Sequence, residues 1–216
     1  MATQHGSKTP NLSAEEEHDV TKNQPPRAAV LHEIIRLQGD QELERSIAAL
    51  FWSALAAGLT MGLSLMAMGL LNSRLPSGEA FKVIASFGYC AGFLAVILAR
   101  QQLFTENTLT AVLPIMSKPT LSNFGRLFRL WGVVLVGNLL GTLLVAYVML
   151  HLPIFDTQTD KAFLEIGRKV MENDTSQMFA KGIISGWMIA TMVWMIPSME
   201  SAKMWIIILI TYLMAL

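Results

Sequence analysis

The chain has 216 residues, 53% of them hydrophobic and 15% charged, with a formal net charge of zero at pH 7. That balance is too apolar for an ordinary soluble domain and matches a polytopic membrane protein. The neutral charge and the lack of a basic stripe interleaved with aromatics exclude nucleic acid as a partner, and a single cysteine, Cys90, excludes an intrachain disulfide framework.

In chain order, residues 1–26 are rich in Ser, Thr, Glu, Lys and Pro and end in Pro25-Pro26. Such a segment has too little apolar surface to offset the entropy of ordering, so a disordered cytoplasmic tail is expected. It contains no apolar signal-peptide core, which leaves the first span to direct insertion. Residues 27–44 follow as an amphipathic cytoplasmic helix, with Val30, Leu31, Ile34, Ile35 and Leu37 on one face and His32, Glu33 and Arg36 off it. Gly39 is expected to stop this helix in the left-handed conformation, and Asp40 to cap the next one. A helix of this kind packs on the bundle, lies on the bilayer or plugs the cytoplasmic mouth.

The transmembrane domain, 45–216, contains five apolar runs: 46–72, 81–116 with a polar break at 100–108, 130–152, 178–196 and 202–216. The last run reaches the chain terminus without a polar flank, as expected of a chain that stops inside a span. The second carries the most information. Its apolar pieces, 84–98 and 107–116, hold 15 and 10 residues, whereas one crossing needs ~20 residues for ~30 Å of hydrocarbon. The two pieces therefore make one crossing, broken by Arg100-Gln-Gln-Leu-Phe-Thr-Glu-Asn-Thr108. Irregular backbone survives at membrane depth only where protein buries it or where it lines a cavity, and half-helix ends at the midplane mark substrate sites.

Topology agrees with a single interrupted crossing. Residues 117–129 carry Lys118, Arg126 and Arg129 and no acid, while 153–177 carry five acids against Lys161, Arg168 and Lys169. Lys and Arg accumulate on the cytoplasmic side, which places the N-terminus and the 117–129 loop there. Trp52, Trp131, Trp194 and Trp205 fall near the cytoplasmic ends, as interfacial anchors do. Gly-x-x-x-Gly pairs at Gly58/Gly62, Gly88/Gly92, Gly137/Gly141 and Gly182/Gly186 predict close approach between several helices. Between the third and fourth spans, Phe163, Ile166, Gly167, Val170 and Met171 recur at helical spacing behind Thr157-Gln-Thr-Asp160, which has the form of a capping box.

Within the break, Thr105 is expected to cap the second half-helix, whose N-terminus points into the membrane and favours an anion. Glu106 opposes that preference, unless it turns away toward a base such as Arg100. Leu103 and Phe104 form a hydrophobic constriction if they project into a pore, and anchor the loop if they project into the bundle. Asn138, inside Gly137-Asn-Leu-Leu-Gly141, needs partners in hydrocarbon and would find them on the exposed backbone of the break. Ser185 and Thr191 are weaker polar candidates, because a membrane hydroxyl can bond its own helix. No enzyme constellation, metal-ligand spacing or cofactor motif is present: His5, His18, His32 and His151 are scattered, and no nucleophile has a base at workable spacing.

Gln102-Leu-Phe-Thr-Glu-Asn-Thr108 resembles the Ω-loop of the formate/nitrite transporter family, and Gly137-Asn-Leu-Leu-Gly141 resembles that family's third-helix motif. The surrounding text, including Arg129-Leu-Trp-Gly-Val-Val and Ile184-Ser-Gly-Trp, is similar to an enterobacterial inner-membrane branch of it. The resemblance runs from about Arg27 to Leu216. It implies an all-α, aquaporin-like protomer with inverted three-helix repeats and a broken second helix, one pore per protomer and a homopentamer when full length. It further implies a small monocarboxylate or nitrite-like anion as passenger, with or without a proton, and the bilayer as the other partner. On the family's pattern Leu103, Phe104 and Thr105 gate the cytoplasmic constriction, Tyr89 and Phe93 line the pore, and Arg100, Glu106, Asn107 and Asn138 support the loop. Two departures accompany it. The family's pore asparagine on the fourth span gives way to Ala190 and Thr191. Its central histidine and second loop would follow Leu216, so the second repeat is incomplete and this stretch alone is expected not to transport. The competing reading is a membrane scaffold that keeps the fold without transport.

Overall fold

The computed structural model describes residues 26–76 and 78–216, together with positions 13, 15, 16 and 24. The expected disordered tail falls almost wholly outside the described residues. The first helix, α1, covers Ala28–Glu44 and buries Leu31, Ile35, Gly39 and Leu43, one residue per turn. This stripe is narrower than expected, since Val30 and Leu37 lie seven residues apart on another face and stay half exposed. Gly39 does not end the helix, and Asp40 caps nothing. A Cβ at Gly39 would lie 2.0 Å from the Thr110 carbonyl oxygen, so the glycine is there for a close approach inside a continuous helix. The chain turns instead at Arg45, and Ser46 caps the next helix by accepting from the Ala49 N–H at 3.2 Å.

Helix α2, Ile47–Arg74, is the central post of the bundle. The second apolar run consists of α3 (Glu79–Ser86), a 3-10 turn (Phe87–Tyr89) and α4 (Cys90–Leu98), then an irregular stretch, then α5 (Asn107–Thr110) and α6 (Val112–Ser117). Helix α7 spans Leu121–His151, α8 Thr157–Met171, α9 Thr175–Met195 and α10 Lys203–Ala215. Among the described residues, four segments are long and apolar enough to cross a membrane: Ile47–Arg74, Glu79–Leu98, Leu121–His151 and Thr175–Ser198.

Glycine decides how α2 packs. A Cβ on Gly58 would meet the Asn138 carbonyl at 2.3 Å, and one on Gly141 would meet the Leu55 carbonyl at 2.4 Å, so α2 and α7 touch backbone to backbone. Gly88 and Gly92 bring the second apolar run against α2 in the same way. The Gly182/Gly186 pair on α9 has nothing within 4 Å of the added Cβ, so that pair mediates no approach here.

At the far end of α2, helix α8 docks on the bundle through buried Thr159, Ala162 and Phe163. Its cap is Asp156, accepting from the Thr159 N–H at 2.8 Å, and not the expected box beginning at Thr157, which already has a helical position. That bond holds the Asp156 carboxyl below the usual range. The capping box occurs one element later, at Asp174 and Gln177. Buried Ser73 and Thr159 hydroxyls meet at 3.0 Å, and Phe163 lies over Gly69, so α8 is seated on α2 as well as joining two spans.

Candidate functional site

The interruption starts where α4 closes on itself. The Gln101 N–H donates to the Val96 carbonyl at 3.0 Å and the Arg100 N–H to the Ile97 carbonyl at 3.2 Å. This pair of bonds defines a Schellman closure, and Arg100 takes its left-handed position with φ 52°. The Arg100 side chain is exposed, and among the described residues no ion pair joins it to Glu106.

Past that closure, partners elsewhere in the chain satisfy the backbone. The Gln102 N–H donates to Ser53 Oγ at 3.1 Å, and the Phe104 N–H to Asn138 Oδ1 at 2.9 Å. Asn138 Nδ2 donates at 2.9 Å to both the Ala54 and the Gln102 carbonyls. One amide on α7 therefore ties α2, α7 and the loop together. Asn107, buried, donates to Gln102 Oε1 at 2.9 Å and to the Leu103 carbonyl at 3.2 Å, while its own carbonyl accepts from Trp131 Nε1 at 3.2 Å.

The second half-helix enters differently from expectation. Glu106 holds the cap position in right-handed helical geometry and makes no side-chain cap bond. Thr105, already inside a turn, is exposed and offers only its carbonyl, which accepts from Thr108 Oγ1 at 2.7 Å. A side-chain cap needs an extended residue before the helix, and the turn over 104–106 removes it. Because α5 is only four residues long before the bend at Ala111, the dipole behind any anion is also shorter than a long half-helix would supply.

Leu103 and Phe104 go to different clusters. Leu103 is buried with Phe93, Ile189, Met192 and Ile207, and Tyr89 packs on the same group. The Tyr89 and Phe93 rings lie 5.2 Å apart. Ser64 on α2 fixes the backbone beneath them, donating to the Tyr89 carbonyl at 2.6 Å and accepting from the Gly92 N–H at 3.0 Å. Phe104 packs instead with Leu130, Val134 and Trp131, its ring 6.2 Å from the indole. Tyr89, Phe93 and Leu103 are thus brought together, and Phe104 is held apart from them. Ala190 and Thr191 line a recess with Leu109, Trp194 and Met195, and Thr191 bonds back to the Trp187 carbonyl at 2.9 Å.

Several contributors escaped the sequence reading: Glu42, Ser53, Ser64, Gln102 and Trp131. Ser53 and Ser64 carried a usable signal, since eleven residues is three helical turns and places both on one face of an apolar span. Trp131 and Trp194 had been expected as interfacial anchors. Trp131 is instead bonded into the loop and Trp194 lies 6.4 Å from the His32 ring of α1, while Trp52 and Trp205 are exposed.

These features define a polytopic helical membrane protein with an irregular, tertiary-bonded stretch between two helical segments. The formate/nitrite transporter family model matches residues 29–216, and the chain belongs to that family. It is 56% identical over 192 residues to the inner membrane protein YfdC of Escherichia coli (strain K12), covering 89% of this chain and 62% of that protein. It is 30% identical over 122 residues to the uncharacterized transporter YrhG of Bacillus subtilis (strain 168), covering 55% of this chain and 44% of that one. A solved pentameric formate channel with formate bound superposes with a TM-score of 0.67 at 22% identity, over 78% of this chain and 68% of the channel. The fold is therefore the all-α fold of that channel, and the chain spans less than two thirds of the length of the curated relatives it matches.

Proposed function

We propose that the protein passes small monovalent anions of the formate and nitrite class across the bacterial inner membrane, together with a proton, as a homopentamer with its N-terminus in the cytoplasm. The observation that carries this reading is the irregular stretch 99–106, which interrupts an apolar run and is held by Ser53, Asn138 and Trp131 from other helices. Polar groups at membrane depth are tolerated where protein buries them or where they border a passage; Gln102 and Asn107 are buried, and exposed Thr105 supports the second condition. The family description and the solved formate channel suggest the chemical class of the passenger.

In this reading Leu103, Tyr89 and Phe93 form the apolar constriction, which refuses hydrated ions because it cannot replace their water. Phe104 acts as the anchor that fixes Leu103 beside it. Asn107 and Asn138 hold the loop, Arg100 closes the first half-helix, and exposed Thr105 and partly exposed Glu106 border the passage. The test is flux into proteoliposomes carrying the full-length protein. Formate and nitrite should enter saturably and faster at acidic external pH, and Leu103→Ala should raise leak of larger anions with assembly intact. Flux no greater than in empty liposomes would refute transport.

A further inference from the structure

We propose that Glu42, on the helix preceding the first span, is a positioning residue for the constriction loop. It acts through a single chain of side-chain bonds. Glu42 Oε2 accepts from Gln102 Nε2 at 2.7 Å, and Gln102 Oε1 accepts from Asn107 Nδ2 at 2.9 Å; the Thr110 hydroxyl beyond them donates to the Glu106 carbonyl at 3.1 Å. Gln102 is 5% exposed and Asn107 4%, so neither amide can turn to solvent for a replacement. With Glu42 in place, the Gln102 side chain has one orientation, carbonyl toward Asn107 and amide toward α1. Leu103 follows in the chain, and its carbonyl is bonded by the same Asn107 amide at 3.2 Å.

The carboxylate is itself fixed. Arg45 pairs with it at 3.1 Å, and Arg129 of α7 donates to the Leu43 and Arg45 carbonyls at 2.6 and 3.2 Å, which holds the end of α1. Farther back, Gly39 lets α1 lie directly on the Thr110 carbonyl. Helix α1 thus holds the start of the chain of bonds through Glu42 and lies on the half-helix behind Asn107 through Gly39, so this amphipathic segment specifies the loop and does more than cover it. The inference rests on the reading of Leu103 as part of the constriction.

The experiment separates the two ideas by reading loop order and flux in parallel. In the full-length protein with Cys90→Ala, Thr105→Cys supplies an exposed thiol whose labelling rate reports loop order whatever the loop passes. Glu42→Ala should raise that rate about tenfold, the size expected for loss of a charge-assisted hydrogen bond. Glu42→Gln keeps an acceptor and should stay near the parent rate. Gln102→Glu places two carboxylates together and should loosen the loop as Glu42→Ala does. Combining Glu42→Gln with Gln102→Glu restores a donor-acceptor pair of reversed sense and leaves an oxygen for Asn107, so it should return the rate to the parent's. Formate flux, measured with the same substitutions while Thr105 is kept, should follow the same order, with leak rising as labelling rises. Unchanged labelling in Glu42→Ala, or a double variant as loose as Gln102→Glu alone, would overturn the positioning role. The expected labelling pattern without flux in any variant would support that role and sink the transport reading.

Discussion

The two shoulders of the interrupted run are built by different means. On the α4 side, the chain closes its own helix end with two backbone bonds and one residue in the left-handed region, using nothing from the rest of the molecule. On the α5 side the helix starts without a side-chain cap, and the preceding loop is pinned by Ser53 and Asn138, the entering residue Asn107 by Trp131. This break therefore borrows its hydrogen-bond partners from other helices on one side only. The locally closed shoulder should tolerate substitution, and the borrowed one should fail when its distant partners are removed.

The largest effect is expected at Asn138. Asn138→Leu keeps the branched outline of the side chain while orphaning the Phe104 N–H and the Gln102 carbonyl and removing the second donor to the Ala54 carbonyl, which stays bonded within α2. An unsatisfied buried polar group costs ~1–3 kcal/mol each in mutational data, and part of that will be relieved by loop movement, so a loss of about 3–5 kcal/mol is expected. Reversible unfolding in mixed detergent micelles measures it. A loss under about 1 kcal/mol would mean that the loop finds other partners and that its second shoulder is as self-sufficient as the first.

Gly58→Val reaches the same shoulder indirectly. Its Cβ would fall 2.3 Å from the Asn138 carbonyl, so α7 must retreat and carry the asparagine away from the loop. Overpacking of this kind costs ~1–3 kcal/mol, and thiol labelling at 105 should rise together with the loss of stability. The matching change Gly182→Val meets open space and should cost little in the same assay. Identical patterns in sequence thus carry opposite predictions, because a glycine pair states only that an approach is permitted.

That contrast marks what sequence could and could not disclose. The break at 100–108 was legible as polar residues between two apolar runs, but the count of 15 apolar residues understated the first run, which is helical over Glu79–Leu98 and long enough to cross alone; the family followed from the motif within the break. The need of Asn138 for partners was equally plain from an amide in hydrocarbon. The divergence of Leu103 and Phe104 was not legible, because adjacent residues in an irregular loop have no fixed angle between them, as they would on a helix or strand. Thr105 was assigned a cap that geometry denies it, since cap rules presuppose an extended entry. Gly39 was misread for a related reason: a glycine that stops a helix and one that admits a neighbour look alike until the neighbour, here Thr110, is known.

Trp131→Phe should produce a smaller loss. It keeps an aromatic ring against Phe104 but removes the indole N–H that reaches the Asn107 carbonyl at 3.2 Å, together with one of the two fused rings. One neutral hydrogen bond contributes ~0.5–1.5 kcal/mol and the lost half-buried ring area adds about 0.5–1 kcal/mol, so about 1–2 kcal/mol is expected, without a change in which anions pass. A larger fall would place Trp131, and not Asn138, as the main support of the second shoulder.

The smallest effect, and the only gain, is expected on the self-closed side. Arg100 sits at φ 52° in the position of a Schellman closure where glycine is usual. The left-handed region costs a residue with a Cβ ~1–2 kcal/mol, and glycine gives part of that back through its greater freedom in the unfolded chain. The Arg100 side chain is exposed and, among the described residues, forms no ion pair that would oppose the change. Arg100→Gly should therefore raise stability by about 0.5–1 kcal/mol. Arg100→Val, β-branched and poorly suited to positive φ, should lower it. Both should leave labelling at 105 unchanged, because the bonds that order the loop lie beyond the closure. If Arg100→Gly instead destabilised the protein and loosened position 105, the arginine would be holding the loop through its side chain, and the first shoulder would depend on borrowed support as the second does.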